Sequence, residues 1–291
     1  MKYIDKSGNT YQEDNAQDKL LRKLYTSVWG RLLLKPLVHP ALSRAAGAVL
    51  DTGFSRILIK PFIKANHIDM SPYVRRKYTS YNDFFTREIQ PEERMINLDE
   101  HHIVSPSDGK VSAYELKNGM SFWVKNTRYT LETLLKSKKL AGKYKDGYLV
   151  VIRLTVDDYH RYCYPVSGRK SANRHISGVL HTVNPAACET LPVYKENTRE
   201  YTLIRSSRFG DVLQMEVGAL MVGRILNYHG IRNVEKGQEK GRFEFGGSTI
   251  ILVLEKSRVQ LDHRLLENTE NGYETLVKMG ESIGQEKTLD N

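Results

Sequence analysis

Gly246, Gly247, Ser248 and Thr249 stand directly before the apolar run Ile250 to Leu254. Paired glycines admit strained backbone conformations that other residues resist. A serine hydroxyl held against the carbonyl of the preceding residue can attack it and convert the amide to an ester. A nearby base then drives β-elimination, which cuts the chain and leaves a dehydroalanine that hydrolyses to a pyruvoyl ketone. Such a ketone forms a Schiff base with a substrate amine and accepts the electron pair released when carbon dioxide departs, as a pyridoxal cofactor would. Taken alone, the tetrapeptide favours a plainer reading, a tight turn leading into a buried strand. A serine-hydrolase elbow fits less well, because G-x-S-x-G starting at Gly246 requires glycine where Ile250 stands.

Further motifs follow one another in a fixed order: Tyr81-Asn-Asp-Phe-Phe-Thr-Arg87, Ser105-Pro-Ser-Asp-Gly109, Asp158-Tyr-His-Arg161, Thr182-Val-Asn-Pro185 and Asn197-Thr-Arg-Glu200. Val217-Gly-Ala-Leu-Met-Val-Gly223, Lys236-Gly-Gln-Glu-Lys-Gly-Arg-Phe243 and Gly246-Gly-Ser-Thr249 continue the series, with Gly272-Tyr-Glu-Thr and Met279-Gly-Glu-Ser-Ile-Gly284 in the tail. Together they resemble the phosphatidylserine decarboxylase family, in its shorter bacterial branch, over most of the chain.

The resemblance implies an Asp/His/Ser relay for self-cleavage at Gly247-Ser248, with Ser248 as the attacking residue and Asp108 as the relay carboxylate. It also implies a covalent pyruvoyl group derived from Ser248. Asp108 has a physical rationale of its own, since a carboxylate orients and charge-stabilises a histidine as in hydrolytic triads; as a sequence feature it also reads as an Asp-Gly turn. The family pattern Tyr-His-Arg-x-His is incomplete here. His160 matches the first histidine, assigned to decarboxylation, but Cys163 occupies the second position, assigned to the relay. His181, ahead of Thr182-Val-Asn-Pro, is a replacement candidate; the alternatives are that His160 serves both steps or that a Cys163 thiolate acts as base, which would need a nearby cation.

These residues need elements to hold them. Beyond Ile103 short strand-like runs alternate with glycines and polar turns: Tyr148 to Val156, Tyr201 to Arg205, Val212 to Val217 and Ser248 to Leu254. Asn233 to Gly241 reads as a long loop ahead of the final strands. Upstream, Leu21, Leu24, Tyr25, Val28 and Leu32 recur at three- and four-residue steps, which predicts one basic amphipathic helix over Lys19 to Leu34. Packing on its own protein and lying on a membrane would both produce that pattern. Further helical segments are expected to about Arg87, one of them burying Ile57, Leu58, Ile59 and Phe62. The charged stretch Gln90 to His102 reads as a linker.

Composition sets the class. With 40% hydrophobic and 27% charged residues the chain suits a folded globular protein. Its two cysteines, Cys163 and Cys188, are too few for a disulfide framework and are not at zinc-ligand spacing, so no metal is expected. Val28 to Leu50 is interrupted by Arg31, Lys35, His39 and Arg44 and does not read as a membrane span. The polar N-terminus lacks a secretory signal, so the chain is expected inside the cell. Lys19 to Arg87 holds 13 Lys/Arg against Asp51, Asp69 and Asp83, while the remainder balances at 31 basic and 31 acidic residues. A localised basic excess favours an anionic partner, and no RNP-like, zinc or recognition-helix signature supports a nucleic acid.

The combined reading is an α+β protein. A helical, basic, membrane-docking region with its linker spans residues 1–100, and a β-rich pyruvoyl decarboxylase domain spans 101–291. Self-cleavage would give associated chains 1–247 and 248–291, acting on phosphatidylserine in anionic membrane, peripherally and at the cytoplasmic face. Two rivals are a pyruvoyl decarboxylase of a soluble amino acid and an unprocessed lipid-binding relative.

Overall fold

The computed structural model describes residues 2–12, 16–116, 121–124, 127–220, 224–244, 246 and 248–287. It is an α+β fold organised by one large sheet. Along that sheet the strands run Arg232–Val234, Gly168–Lys170, Arg199–Ser206, Gly210–Val217, Ser248–Leu254, Tyr148–Leu154, Gly109–Glu115, Glu274–Val277, Lys2–Ile4 and Thr10–Gln12, with Arg174–Ile176 also pairing with Arg199–Ser206. All neighbours are antiparallel except Lys2–Ile4 on Glu274–Val277. Ser248–Leu254 and Tyr148–Leu154 are buried at every residue. That is why they are continuous apolar runs rather than alternating ones: both faces of the sheet are covered there. Two three-stranded sheets flank the large one, and the first of them, Arg224–Asn227, Glu239–Glu244 and Arg161–Cys163, carries the chain into the Gly-Ser segment.

Helices α1 (Ala16–Thr26), α2 (Val28–Leu37) and α3 (Pro40–Leu50) follow the N-terminal strands. The single helix expected over Lys19 to Leu34 is therefore two. Ser27 adopts an extended conformation and its hydroxyl accepts from the Gly30 amide at 2.9 Å, so it caps α2 and ends the run. The expected burial of Ile57 and Leu58 is also not found. They lie in a 3₁₀ turn, Gly53–Leu58, with Ile57 75% exposed and Leu58 47% exposed. The predicted loop Asn233 to Gly241 contributes to two strands, Arg232–Val234 and Glu239–Glu244.

The core divides in two. The larger part packs around the sheet, through residues such as Ile152, Met215, Ile250 and Leu252, and reaches Tyr25 of α1. The smaller part joins Leu50, Ile68, Tyr73, Tyr81, Phe84 and Phe85 to Tyr159, and so ties the helical segment to the turn that precedes Arg161–Cys163. Among the described residues no helix is long and apolar enough to cross a membrane.

Candidate active site

Ser248 opens its strand with Leu154 opposite it on one side, while Thr249 pairs with Arg153 on that side and Val217 on the other. Ser248 is wholly buried, and among the described residues its Oγ has no hydrogen-bond partner; the same holds for Thr249 Oγ1. Buried hydroxyls are normally satisfied, by protein or by ordered water, so an unspent one at Ser248 fits stored strain or a reacting group, whereas that of Thr249, next along the strand, faces the other side of the sheet. Gly246 sits at φ +105°, a region that disfavours any side chain. Gly247, the other half of the expected cleavage site, lies outside the described residues.

Asp108 precedes the strand Gly109–Glu115, which pairs with Tyr148–Leu154, which in turn pairs with Ser248–Leu254. Asp108 and Ser248 thus sit at the same end of the sheet, two strand spacings or roughly 10 Å apart at the backbone. Gly109 makes the approach possible, because a Cβ there would come within 2.8 Å of the Arg153 carbonyl. The Asp108 carboxylate is 1% exposed and fully engaged: Arg94 grips both oxygens (Nε to Oδ1 2.8 Å, Nη2 to Oδ2 2.5 Å), the Met279 amide donates at 2.9 Å, and Lys278 Nζ lies at 3.5 Å. Among the described residues its contacts include no histidine. Arg94 comes from the stretch expected to be a linker and was not a candidate; no spacing in the sequence signals its pairing with Asp108.

His160 lies where the chain turns from Tyr148–Leu154 into Arg161–Cys163. Asp158 shapes that turn by accepting from the Thr155 amide (2.7 Å) and hydroxyl (2.8 Å), with Lys110 bonded to the same hydroxyl. Burial pushes the Asp158 carboxyl up, against the pull of Lys110. The His160 carbonyl accepts from the Phe243 amide, five residues before Ser248, at 3.0 Å. Its ring stacks on Phe85 with centroids 4.1 Å apart. Neither ring nitrogen makes a well-formed hydrogen bond; the Thr155 and Val156 backbone offers only weak polar contact. Burial, reinforced by Arg87, lowers the His160 pKa to about 3, so the imidazole is neutral at ordinary pH.

His181 reaches the opposite flank of Ser248. Asn197 bonds both the His181 carbonyl and that of Gly218, next after the Val217 that pairs with Thr249. The imidazole is turned to Tyr25 (Nδ1 to the hydroxyl, 3.3 Å) and Glu196 (Nε2 to Oε2, 3.7 Å). Burial lowers its pKa. Cys163 is buried, and burial pushes its thiol up to about 12, which leaves almost no thiolate at neutral pH. The described contacts therefore bring His160 to the approach of the Ser248 strand, and hold Asp108 and the His181 main chain at the same end of the sheet. They place no imidazole on Ser248 itself.

The family model for phosphatidylserine decarboxylase matches residues 81–285. The chain is 42% identical to phosphatidylserine decarboxylase proenzyme 2 of Clostridium acetobutylicum, with 94% of each chain covered. It is 41% identical to the phosphatidylserine decarboxylase proenzyme of Fusobacterium nucleatum, with 99% of this chain and 98% of that one covered. A proenzyme of the same name from Desulfitobacterium hafniense is 38% identical, with 98% of both covered. On this similarity, over nearly its whole length, the chain belongs to the phosphatidylserine decarboxylase family.

Proposed function

We propose that this chain cuts itself between Gly247 and Ser248 and decarboxylates phosphatidylserine to phosphatidylethanolamine, using the pyruvoyl group left at position 248. The observation that carries this reading is Ser248 itself, buried, unpartnered at Oγ among the described residues, and preceded by Gly246 at positive φ. That setting fits a residue converted from a hydroxyl to a ketone, because no hydrogen bond is lost in the change. A pyruvoyl ketone there supplies the electron sink for loss of carbon dioxide.

The surrounding residues then have distinct tasks. A neutral His160 donates one N–H and accepts at the other nitrogen, so it suits holding the substrate carboxylate. That carboxylate, once beside the ring, raises its proton affinity and lets it return a proton to Cα. Asp108 is the relay carboxylate of self-cleavage, kept in place by Arg94 and the Met279 amide. His181 is the candidate base, supported by its neutral ring and its tie to Gly218. His160, close to the approach of the Ser248 strand, is the other. Complete cleavage in His181→Ala together with none in His160→Ala would assign both steps to His160.

The substrate comes from a membrane surface. Trp29 (78% exposed), Leu33, Val49 and Phe54 (91%) face outward from α2, α3 and the adjoining 3₁₀ turn, which pack on one another, and Arg31, Lys35 and Arg56 lie on the same elements. An apolar face set among cations suits peripheral docking on an anionic leaflet such as the cytoplasmic one, each near-surface cation adding on the order of 1 kcal/mol. Residues 1–100 supply this face, although Lys2–Ile4 also extends the large sheet of the domain proposed for 101–291.

The test is the intact mass of the denatured protein. Fragments 1–247 and 248–291, the second with a blocked pyruvoyl start, are expected, and Ser248→Ala should stay whole and inactive. Carbon dioxide release by a chain that remains whole would sink the reading. Flotation should place the protein on vesicles containing phosphatidylserine; indifference to them would favour a soluble amino acid as substrate.

A further inference from the structure

The motif Tyr81 to Arg87 ends in a residue with no task so far. Arg87 is 1% exposed, beside the cluster of Tyr73, Tyr81, Phe84 and Phe85. Its Nη2 donates to the Tyr73 hydroxyl at 3.1 Å and the Asp157 carbonyl at 3.2 Å, and its guanidinium lies over the rings of Tyr73 and Phe84 at 4.2 and 5.1 Å. Among the described residues Nε and Nη1 are buried without an acceptor, and no carboxylate forms an ion pair with Arg87. Guanidinium does not shed its proton, so a counter-charge must come from outside the described chain or the burial is uncompensated.

The neighbour of this cation is the imidazole assigned to the reacting carbon. Arg87 holds Asp157, three residues before His160, while Arg161, directly after it, donates to the Thr86 carbonyl at 2.9 Å. Phe85 stacks on the His160 ring itself. Residues 85–87 thus grip the chain on both sides of His160. They bring a buried cation with unspent N–H donors beside an imidazole whose nitrogens are also unspent. Such a pairing is a cradle for an anionic oxygen.

We propose that Arg87 binds the phosphodiester of the phospholipid substrate and so sets selectivity for that head group. This rests on the reading that His160 faces the substrate Cα. In a serine phosphodiester only Cβ and the ester oxygen separate Cα from phosphorus, so a cation beside His160 is within reach of the phosphate oxygens. The substrate carboxylate is the poorer match. It departs as neutral carbon dioxide, and a guanidinium clamp would stabilise the ground-state charge that the reaction disperses. The phosphate keeps its charge throughout, so holding it lowers KM without opposing the chemical step.

Two soluble substrates test this: dihexanoyl phosphatidylserine below its micellar concentration, and O-decyl-L-serine, which keeps the amine and carboxylate but has no phosphate. Arg87→Met should lower kcat/KM for the phospholipid roughly 10- to 100-fold more than for O-decylserine, mainly through KM, the scale of one charge-assisted contact. Arg87→Lys should recover part of the difference, and it serves as the readout if the Met variant does not fold. Equal losses on both substrates in the Lys variant, or a loss confined to kcat, would overturn the assignment and leave Arg87 as a support for the turn before His160. Failure of the underlying reading looks different: a cleaved wild type that releases no carbon dioxide from the phospholipid, or an active His160→Ala, refutes it in proteins that retain Arg87.

Discussion

Among the described residues Arg199 and Arg87 are both buried without a carboxylate partner, yet their surroundings differ. Arg199, 0% exposed at the start of its strand, donates to the carbonyls of Leu134, Lys195 and Asn197 at 2.8 Å each and of Thr133 at 3.2 Å. Thr133 and Leu134 belong to the last turn of the short helix Leu131–Leu135, where carbonyls have no partner within the helix. Burial still lowers its pKa, to about 10, but nearly every donor is used. Arg87 leaves two nitrogens empty beside an imidazole that leaves two more. Among the described residues the first site is complete and the second is not. Unspent hydrogen-bond capacity, rather than burial or charge alone, separates a structural arginine from one that awaits a ligand.

Stability should expose that difference most strongly. Measurements belong in the Ser248→Ala background, where the chain stays whole and unfolding is not mixed with separation of two fragments. Arg199→Met strands four carbonyls and should cost on the order of 4 kcal/mol. Arg87→Met gives up two hydrogen bonds but also removes an uncompensated charge, and should change stability by only about 1 kcal/mol in either direction. Urea midpoints for the two variants check this. Equal losses would mean that both arginines are structural.

What the sequence disclosed follows the same division. The strands Tyr148–Leu154 and Ser248–Leu254 were legible because they are buried on both faces and therefore continuously apolar. Ser248, Asp108 and His160 were legible as motif residues. Their orphaned atoms were not, since satisfaction is a property of three-dimensional neighbours. Arg94 was hidden in a charged stretch without period, because its partner Asp108 lies beyond any helical or strand spacing. Periodicity misjudged Lys19 to Leu34, where the Ser27 cap overrides it, and Ile57 and Leu58, because an apolar face has the same spacing whether it looks inward or outward.

The next difference is between His160 and an ordinary histidine. Its folded-state pKa of about 3 lies below the 6.5 of an ordinary histidine, so between these values the unfolded chain binds a proton that the folded chain refuses. Stability therefore falls as pH drops below 6.5 and keeps falling until about 3; at pH 5 the His160 contribution is a loss of about 2 kcal/mol. His160→Gln in the Ser248→Ala background should remove that part of the slope and leave stability above pH 7 less changed. An unchanged slope would mean that the ring is hydrated or hydrogen-bonded in solution, and that its nitrogens are not unspent.

The smallest effect is expected at Cys163, which shares the strand that follows His160 but belongs with the completed part of the molecule. Its amide donates to the Pro106 carbonyl and its own carbonyl accepts from Gln214 Nε2, so its backbone carries the local contacts. With a thiol pKa of about 12, only about one molecule in 10⁴ holds a thiolate at pH 8. Cys163→Ala should leave the rate of self-cleavage within about twofold, because so small a thiolate fraction gives a base little to contribute. Native protein should resist a disulfide-exchange reagent that modifies the thiol rapidly in urea. A Cys163→Ala chain that folds but stays whole would make the thiol the missing base, and would show that a side chain pushed toward its neutral form by burial can still act on Ser248.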